Sequence, residues 1–371
     1  MPESQLNNSE SLKDDGDRPW IQSIHVNKIR HLENIDICIS DDAAPRHLMV
    51  TGPNGSGKTS LMLAMKKLLE KMSNDKDFIG VEQKKWREMY ENNLAKAKAG
   101  GDSIEIAKAE AGLDEQIKRI QEWFGELELT LHDVAAFARH INERKFIIAY
   151  YSDFREAKFK EVNTPDKPTF TYGISQNNGE QFVKFLVNLK IQQALAKNEG
   201  KISDAEEIEK WFVAFTGILR RIFSDDSLNL DFNYRDYSFE IVTNGTHFPF
   251  TGLSAGYAAV LDIVADLILR MQSLNRVTRV FDMPGIALID EVETHLHLSL
   301  QQDIMPILTT VFPKVQFIVS THSPFVLNSI SNATIYDLKN RKCVQDLTEY
   351  SYEALAEGYF GVETDSGELK I

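Results

Sequence analysis

Cysteine is almost absent: Cys38 and Cys343 are the only two among 371 residues. Two cysteines without paired spacing suggest neither a zinc site nor a disulfide framework, and they fit a reducing compartment. No apolar run is long enough to cross a bilayer, and the first 19 residues contain no hydrophobic signal core. A cytoplasmic protein without a membrane partner is therefore expected. Basic charge is also in short supply. Against 55 Asp and Glu stand 41 Lys and Arg, leaving a net charge of -14, which argues against a surface that coats nucleic acid but not against a local contact with DNA. What the chain does have is 43% hydrophobic residues, enough for one large core or two lobes.

Residues 1–19 are polar and acidic and read as a flexible tail, with too few apolar groups to offset the entropy of ordering. Patterning then begins. Ile21, Ile24, Val26 and Ile29, followed by Leu32, Ile35 and Ile37, give two strands around a turn, and residues 46–51 (RHLMVT) give a buried strand. From Lys58 onward Leu61, Leu63, Met65, Leu68 and Leu69 recur at helical spacing, so the order is strand, glycine-rich loop, helix. Residues 73–125 are charged and helical: Trp86, Tyr90 and Leu94 share one face, and Leu113, Ile117, Ile120 and Phe124 follow a four-and-three spacing. KAGGDS at 98–103 breaks the two runs, and Asp102 with Glu105 reads as a capping box. An inserted antiparallel helical hairpin is expected, with two ordinary surface helices as the plainer alternative. Lys84, Lys85 and Arg87 read as a solvated ridge.

Strands are expected at 127–131 and 145–151 around a helix, then helices at 179–200 and 205–223. Strand-type alternation returns at 228–234, 238–243 and 246–250, with Asn244-Gly245 as a hairpin turn. Helices then alternate with strands at 286–289, 316–320 and 334–338, the rhythm of a mainly parallel sheet. The expected fold class is α/β, a mainly parallel sheet flanked by helices with an added antiparallel part. Its expected divisions are an N-terminal lobe at 20–72 and 126–160, the hairpin at 73–125, a helical subdomain at 161–225, a C-terminal lobe at 226–346 and a C-terminal tail at 347–371.

Four segments carry chemistry. Gly52, Pro53, Asn54, Gly55, Ser56, Gly57, Lys58, Thr59 and Ser60 fill the P-loop pattern, in which glycines let backbone N–H groups wrap phosphates, Lys58 supplies a point charge and the Thr59 hydroxyl can ligate Mg²⁺. The helix that follows directs its positive end at the anion. GIALIDE at 285–291 is an apolar strand ending in two acids: Asp290 is suited to the Mg²⁺ shell and Glu291 to polarising a water as general base. Adjacent buried acids are costly without a cation beside them. LSAGY at 253–257 opens an apolar helix, where Ser254 at the N-cap and the small Gly256 leave a hydroxyl and backbone donors for a γ-phosphate. FIVSTHSP at 317–324 places His322 just past a strand end, able to bond a γ-phosphate or the attacking water, although a single histidine is more often structural.

The set GPNGSGKTS, LSAGYAAVLDIVADL, GIALIDEVETHLH and QFIVSTHSPFVL resembles the RecF/SMC-like branch of ABC-type ATPases, especially its OLD-like and AAA15/AAA21 group. That group includes ATPase subunits of Septu- and retron-type anti-phage defence systems. The resemblance implies an ABC-type P-loop ATPase head that uses ATP and Mg²⁺, with Lys58, Glu291 and His322 catalytic. It also implies a homodimer in which Ser254 and Gly256 of one copy face the Lys58 of the other. Glu293, His295 and His297 match the loop after the catalytic acid and are expected at the dimer contact; their spacing also resembles a metal motif that lacks a third ligand. Ala255 and Tyr257 depart from the LSGGQ form, and YYSDFRE at 150–156 offers no Q-loop glutamine. The residues after His322 leave no room for a Toprim nuclease domain, so a separate effector, nuclease or toxin, is expected. Two other readings stand beside this one: a RecF/SMC-like ATPase that binds DNA ends, and a non-hydrolysing scaffold that holds an effector inactive.

Overall fold

A computed structural model describes residues 18–40, 44–74, 79–155, 158–171, 173–272, 281–348 and 350. The expected tails therefore lie largely outside the described residues, as do the side chains of Lys84, Lys85, Trp86, Arg87 and Ile120. In chain order the strands are β1 (Ile21–Ile29), β2 (Leu32–Cys38), β3 (His47–Thr51), β4 (Leu127–Leu131), β5 (Ile147–Tyr151), β6 (Asn229–Asn233), β7 (Ser238–Thr243), β8 (Thr246–Pro249), β9 (Gly285–Ile289), β10 (Val315–Ser320), β11 (Ala333–Asp337) and β12 (Lys342–Gln345). The helices are α1 (Lys58–Asn74), α2 (Ile79–Gly100), α3 (Ser103–Phe124), α4 (Val134–Asn142), α5 (Phe182–Asn198), α6 (Ile202–Phe223), α7 (Ala255–Met271), α8 (Leu298–Val311) and α9 (Pro324–Leu327).

Two units share the chain, and the division runs through α1: residues 1–45 and 67–146 form one, 46–66 and 147–371 the other. In the first, β1 lies between β2 and β4 in an antiparallel sheet, with Val26 opposite Ile35 and Leu127, and Ile24 opposite Ile37 and Leu129. The period-two alternation buries these side chains on one face. α2 and α3 fold back on each other around Gly101, whose φ of 75° suits the turn. A Cβ at Gly112 would stand 3.0 Å from the Tyr90 ring, and Lys98 reaches Glu110 at 3.4 Å. The cap of α3 is one-sided: Asp102 accepts a hydrogen bond from the Ile104 N–H at 2.8 Å.

The second unit is built on a six-stranded sheet in the order β12-β11-β3-β10-β9-β5, parallel except for β12. β3, β9 and β10 are buried throughout, as strands covered on both faces must be. Gly285 begins β9 because nothing larger fits: a Cβ there would lie 2.2 Å from Ile147 Cγ1 and 2.6 Å from the Ile147 carbonyl oxygen. Gly285→Ala is expected to destabilise the protein by about 2 kcal/mol or more, since backbone must move to admit the methyl. Chemical denaturation reads this directly, and an unchanged midpoint would contradict the packing.

The segment 161–178 was expected to begin a helical subdomain, but its described residues contain no helix; α5 starts only at Phe182, after a 3₁₀ turn at Gly179–Gln181. The reason is a competing set of polar contacts with α7. That helix is buried on every side from Ala259 to Met271, including the charged residues Asp262, Asp266 and Arg270 at successive turns. Asp266 accepts from Arg270 Nε at 2.6 Å, Tyr151 Oη at 2.7 Å and the Asn178 N–H at 2.8 Å, while Arg270 donates to the carbonyls of Ile148, Gly173 and Gln176. These bonds fully pair the buried charges and fix residues 173–179 as irregular backbone. α5 and α6 complete the core through an aromatic group that includes Phe182, Phe185, Trp211 and Phe215. The β6-β7-β8 sheet turns at Asn244 and Gly245, both with positive φ as a two-residue hairpin loop requires.

Candidate nucleotide site

The carboxyl ends of β3, β10, β9 and β5 lie side by side, so the loops that leave them converge. β3 continues into residues 52–57, where Gly52, Gly55 and Gly57 have φ of 143°, 80° and 100°. Gly52 has a second constraint, because a Cβ would meet Ser56 Oγ at 2.8 Å. Lys58 opens α1 and is only 5% exposed. Its ammonium donates to the Gly52 carbonyl at 3.0 Å and to His322 Nε2 at 2.6 Å. Pro53, Asn54, Gly55 and Thr59 are exposed at the loop rim and helix start.

The acid pair is arranged by the neighbouring strand. Asp290 is fully buried, and its Oδ1 accepts from Ser320 Oγ while its Oδ2 has no hydrogen-bond partner. Ser320 also accepts the Glu291 N–H at 2.8 Å, so one hydroxyl at the end of β10 holds both acids. Glu291 sits at φ 45°, which turns its side chain off the strand line and brings Oε1 to 3.8 Å from His322 Nε2. A buried carboxylate oxygen with no donor beside it is fitted to a cation, and the Thr59 hydroxyl supplies a second oxygen of the kind Mg²⁺ takes.

Electrostatics follow from burial. Loss of solvent lowers the Lys58 pKa, with Glu291, Glu293 and Asp290 pulling it back up. Loss of solvent and then Lys58 lower the His322 pKa, with Asp290 opposing. Neutral His322 is thus the folded form that accepts from Lys58. Because its pKa is depressed on folding, the unfolded chain takes up the proton first as pH falls below the ordinary value of 6.5. In the absence of nucleotide, the contribution of His322 to stability is expected to fall from about pH 7 to about pH 5.5, so the stability of the wild type relative to His322→Gln declines across that range, while the raised Asp262 carboxyl contributes with the opposite sign in both proteins. Thermal melts across that range measure it; identical slopes in the two proteins would refute a buried neutral histidine.

Ser254 caps α7 by backbone geometry but its hydroxyl makes no capping bond, and the residue is exposed. Gly256, in contrast, is buried: a Cβ would lie 3.1 Å from the His295 carbonyl oxygen, so its smallness serves packing against the loop after β9. Tyr257 is accounted for by a stack on Phe223, with centroids 4.3 Å apart and planes at 12°. An aromatic at this position pins the start of α7 to the end of α6.

Glu293, expected at a dimer contact, turns its carboxylate toward His322 within the subunit. Its carboxylate accepts the His322 N–H, and burial raises its pKa. His295 and His297 are exposed and form no metal-ligand group. Among the described residues such a group of three occurs only at Asp231, Glu240 and His247, on exposed or half-buried hairpin positions where Glu240 already pairs with His247 at 3.1 Å. The motifs contain Ser320 and Glu293 without giving them these roles, and none marks Arg155. Arg155, buried after β5, donates to the carbonyls of Asp290, Glu291 and Val292. The only signal for it was an arginine where a Q-loop was missing.

The parallel sheet with these loops at its carboxyl edge has the arrangement of a P-loop nucleotide-binding domain. Residues 198–328 match the family described as "AAA domain, putative AbiEii toxin, Type IV TA system". The chain is similar to the Septu protein PtuA of Bacillus mycoides (strain KBAB4), 25% identical over 325 residues that make up 86% of this chain and 40% of that protein. It is also similar to the Retron Ec83 probable ATPase of Escherichia coli, 45% identical over 89 residues (24% of this chain, 16% of that protein). The Retron Vc95 probable ATPase of Vibrio cholerae serotype O1 biovar El Tor is 26% identical over 184 residues (48% and 34%). The chain thus matches less than half the length of each of these relatives. Among solved structures, the SMC head domain from Thermotoga maritima aligns with a TM-score of 0.38 and 12% identity over 85% of this chain and 94% of that one. The SmcHead bound to the C-winged helix domain of ScpA gives 0.39 and 13% over 86% and 93%. No helix among the described residues is long and apolar enough to cross a membrane.

Proposed function

We propose that the chain binds ATP with Mg²⁺ and hydrolyses it, and that a second copy completes the site. The observation that carries this is the buried, unpartnered Asp290 Oδ2 beside Glu291, Lys58 and His322 at one sheet edge. Residues 52–60 hold the phosphates through backbone N–H groups, and Lys58 leaves Gly52 and His322 to meet the β- and γ-phosphates. Thr59 and Asp290 would hold Mg²⁺, which supplies charge neutralisation between the phosphates. Glu291 takes a proton from the attacking water, and His322, once Lys58 has left it and Nε2 carries the ring proton, donates to the γ-phosphate or that water. The uncommitted Ser254 hydroxyl is available to the ATP of a second copy, which makes the working form a homodimer. The relatives named for Septu and retron systems support a role in anti-phage defence, where turnover would control a separate nuclease or toxin. ATP turnover in Mg²⁺ against EDTA, with mass measured in light scattering, tests the proposal: no Mg²⁺-dependent turnover and no ATP-dependent dimer would overturn it. Turnover that rises with added DNA would favour a DNA-binding ATPase instead.

A further inference from the structure

Arg155 stands beyond the end of β5, 8% exposed, and has no place in any phosphate-binding motif. Its Nη1 donates to Asp290 O at 2.9 Å and Ser152 O at 3.2 Å; its Nη2 donates to Glu291 O at 3.1 Å and Val292 O at 2.9 Å. Three consecutive carbonyls therefore point at one guanidinium. They converge because the chain turns there, with Glu291 at φ 45°. Left-handed backbone at a non-glycine residue is unfavourable and persists only where neighbours over-determine it. Here the neighbours are Ser320 on the N–H side of Glu291 and Arg155 on its carbonyl side.

The same cation faces a second element. Its surrounding acids are Glu293, Asp262, Asp290 and Asp153, and of these Asp262 alone belongs to α7, two turns from Ser254. Asp262 is itself clamped: Asn177 donates to its Oδ2, and the α-carbon of Gly179 lies so close that a Cβ would stand 2.2 Å from its Oδ1. Burial raises its pKa to about 7, with the Asn177 bond and Arg155 opposing.

We propose that Arg155 is a positioning residue: it fixes the backbone of Glu291 and so the place of that acid. The proposal rests on the reading of Glu291 as general base. Glutamine at a Q-loop would offer two donors; the planar fork of arginine reaches three carbonyls at once and keeps its charge.

The test uses the full chain in a double-mutant cycle. Arg155→Lys keeps the charge and loses the fork, and is expected to lower kcat by about 100-fold, the scale of a misplacement near 1 Å, while affinity for a fluorescent ATP analogue stays within about threefold. In a Glu291→Gln background it is expected to cost nothing further, because it acts through that acid. Equal losses in binding and kcat, or an Arg155→Lys loss that multiplies with Glu291→Gln, would overturn the proposal. Should Arg155→Lys fail to fold, Arg155→Gln carries the same comparison. Normal turnover in Glu291→Gln alone would instead remove the general-base reading, so the two failures are distinct.

Discussion

Lys58→Ala is expected to cripple nucleotide binding, raising the dissociation constant for ATP by at least about 30-fold. The ammonium is buried and already committed to two acceptors, Gly52 O and His322 Nε2, so it is held in place before any phosphate arrives. Removing one partner of a buried, hydrogen-bonded charge pair costs about 2–5 kcal/mol, which corresponds to roughly 30-fold or more in affinity. Isothermal titration with ATP and Mg²⁺ reads the loss. Retained affinity would take the loop at 52–60 out of the site. The fold itself should tolerate the change, because the acids that surround Lys58 lose a cation but Arg155 and solvent at the loop rim remain.

Glu291→Gln is expected to reduce turnover by about 100-fold to 1,000-fold, within the range that general-base catalysis contributes, with ATP affinity preserved. Glutamine matches the size of glutamate, and the bond that seats the residue, from its N–H to Ser320 Oγ, uses only the backbone of residue 291 and not its carboxylate. With hydrolysis blocked, an ATP-loaded dimer should accumulate, visible as doubled mass in light scattering only when ATP and Mg²⁺ are present. Unchanged turnover would sink the assignment of Glu291, and a monomer under those conditions would sink the composite site.

Much of the site is legible in the sequence for a physical reason: backbone that must wrap phosphate needs glycine at fixed places, and an acid pair must follow an apolar strand if it is to stand at a sheet edge. The hairpin at Asn244-Gly245 and the alternation of Ile24, Val26, Ile35 and Ile37 are equally local, and they appear in the fold at those residues. What could not be read depends on contacts far apart along the chain. Arg155 acquires its role from carbonyls 135 to 137 residues away, and Ser320 from acids about 30 residues back. Glu293 looked outward because its loop is surface-like in composition, yet its carboxylate turned in to bond the His322 N–H. Likewise, nothing in 161–178 marks Asn177 and Asn178 as partners of acids on α7, whereas the helices expected from residues 179 and 205 stand there as α5 and α6.

β10 lies between the strand that leads into the phosphate loop and the strand that ends in the acids. Its last residue grips Asp290 and Glu291, and two residues later the chain presents His322 to Lys58. One short run of backbone is therefore answerable to both the reader of the nucleotide and the groups that would destroy it. A substitution selected to retune one would disturb the other, so separation of the two tasks, by evolution or by an engineer, would have to be sought away from this strand.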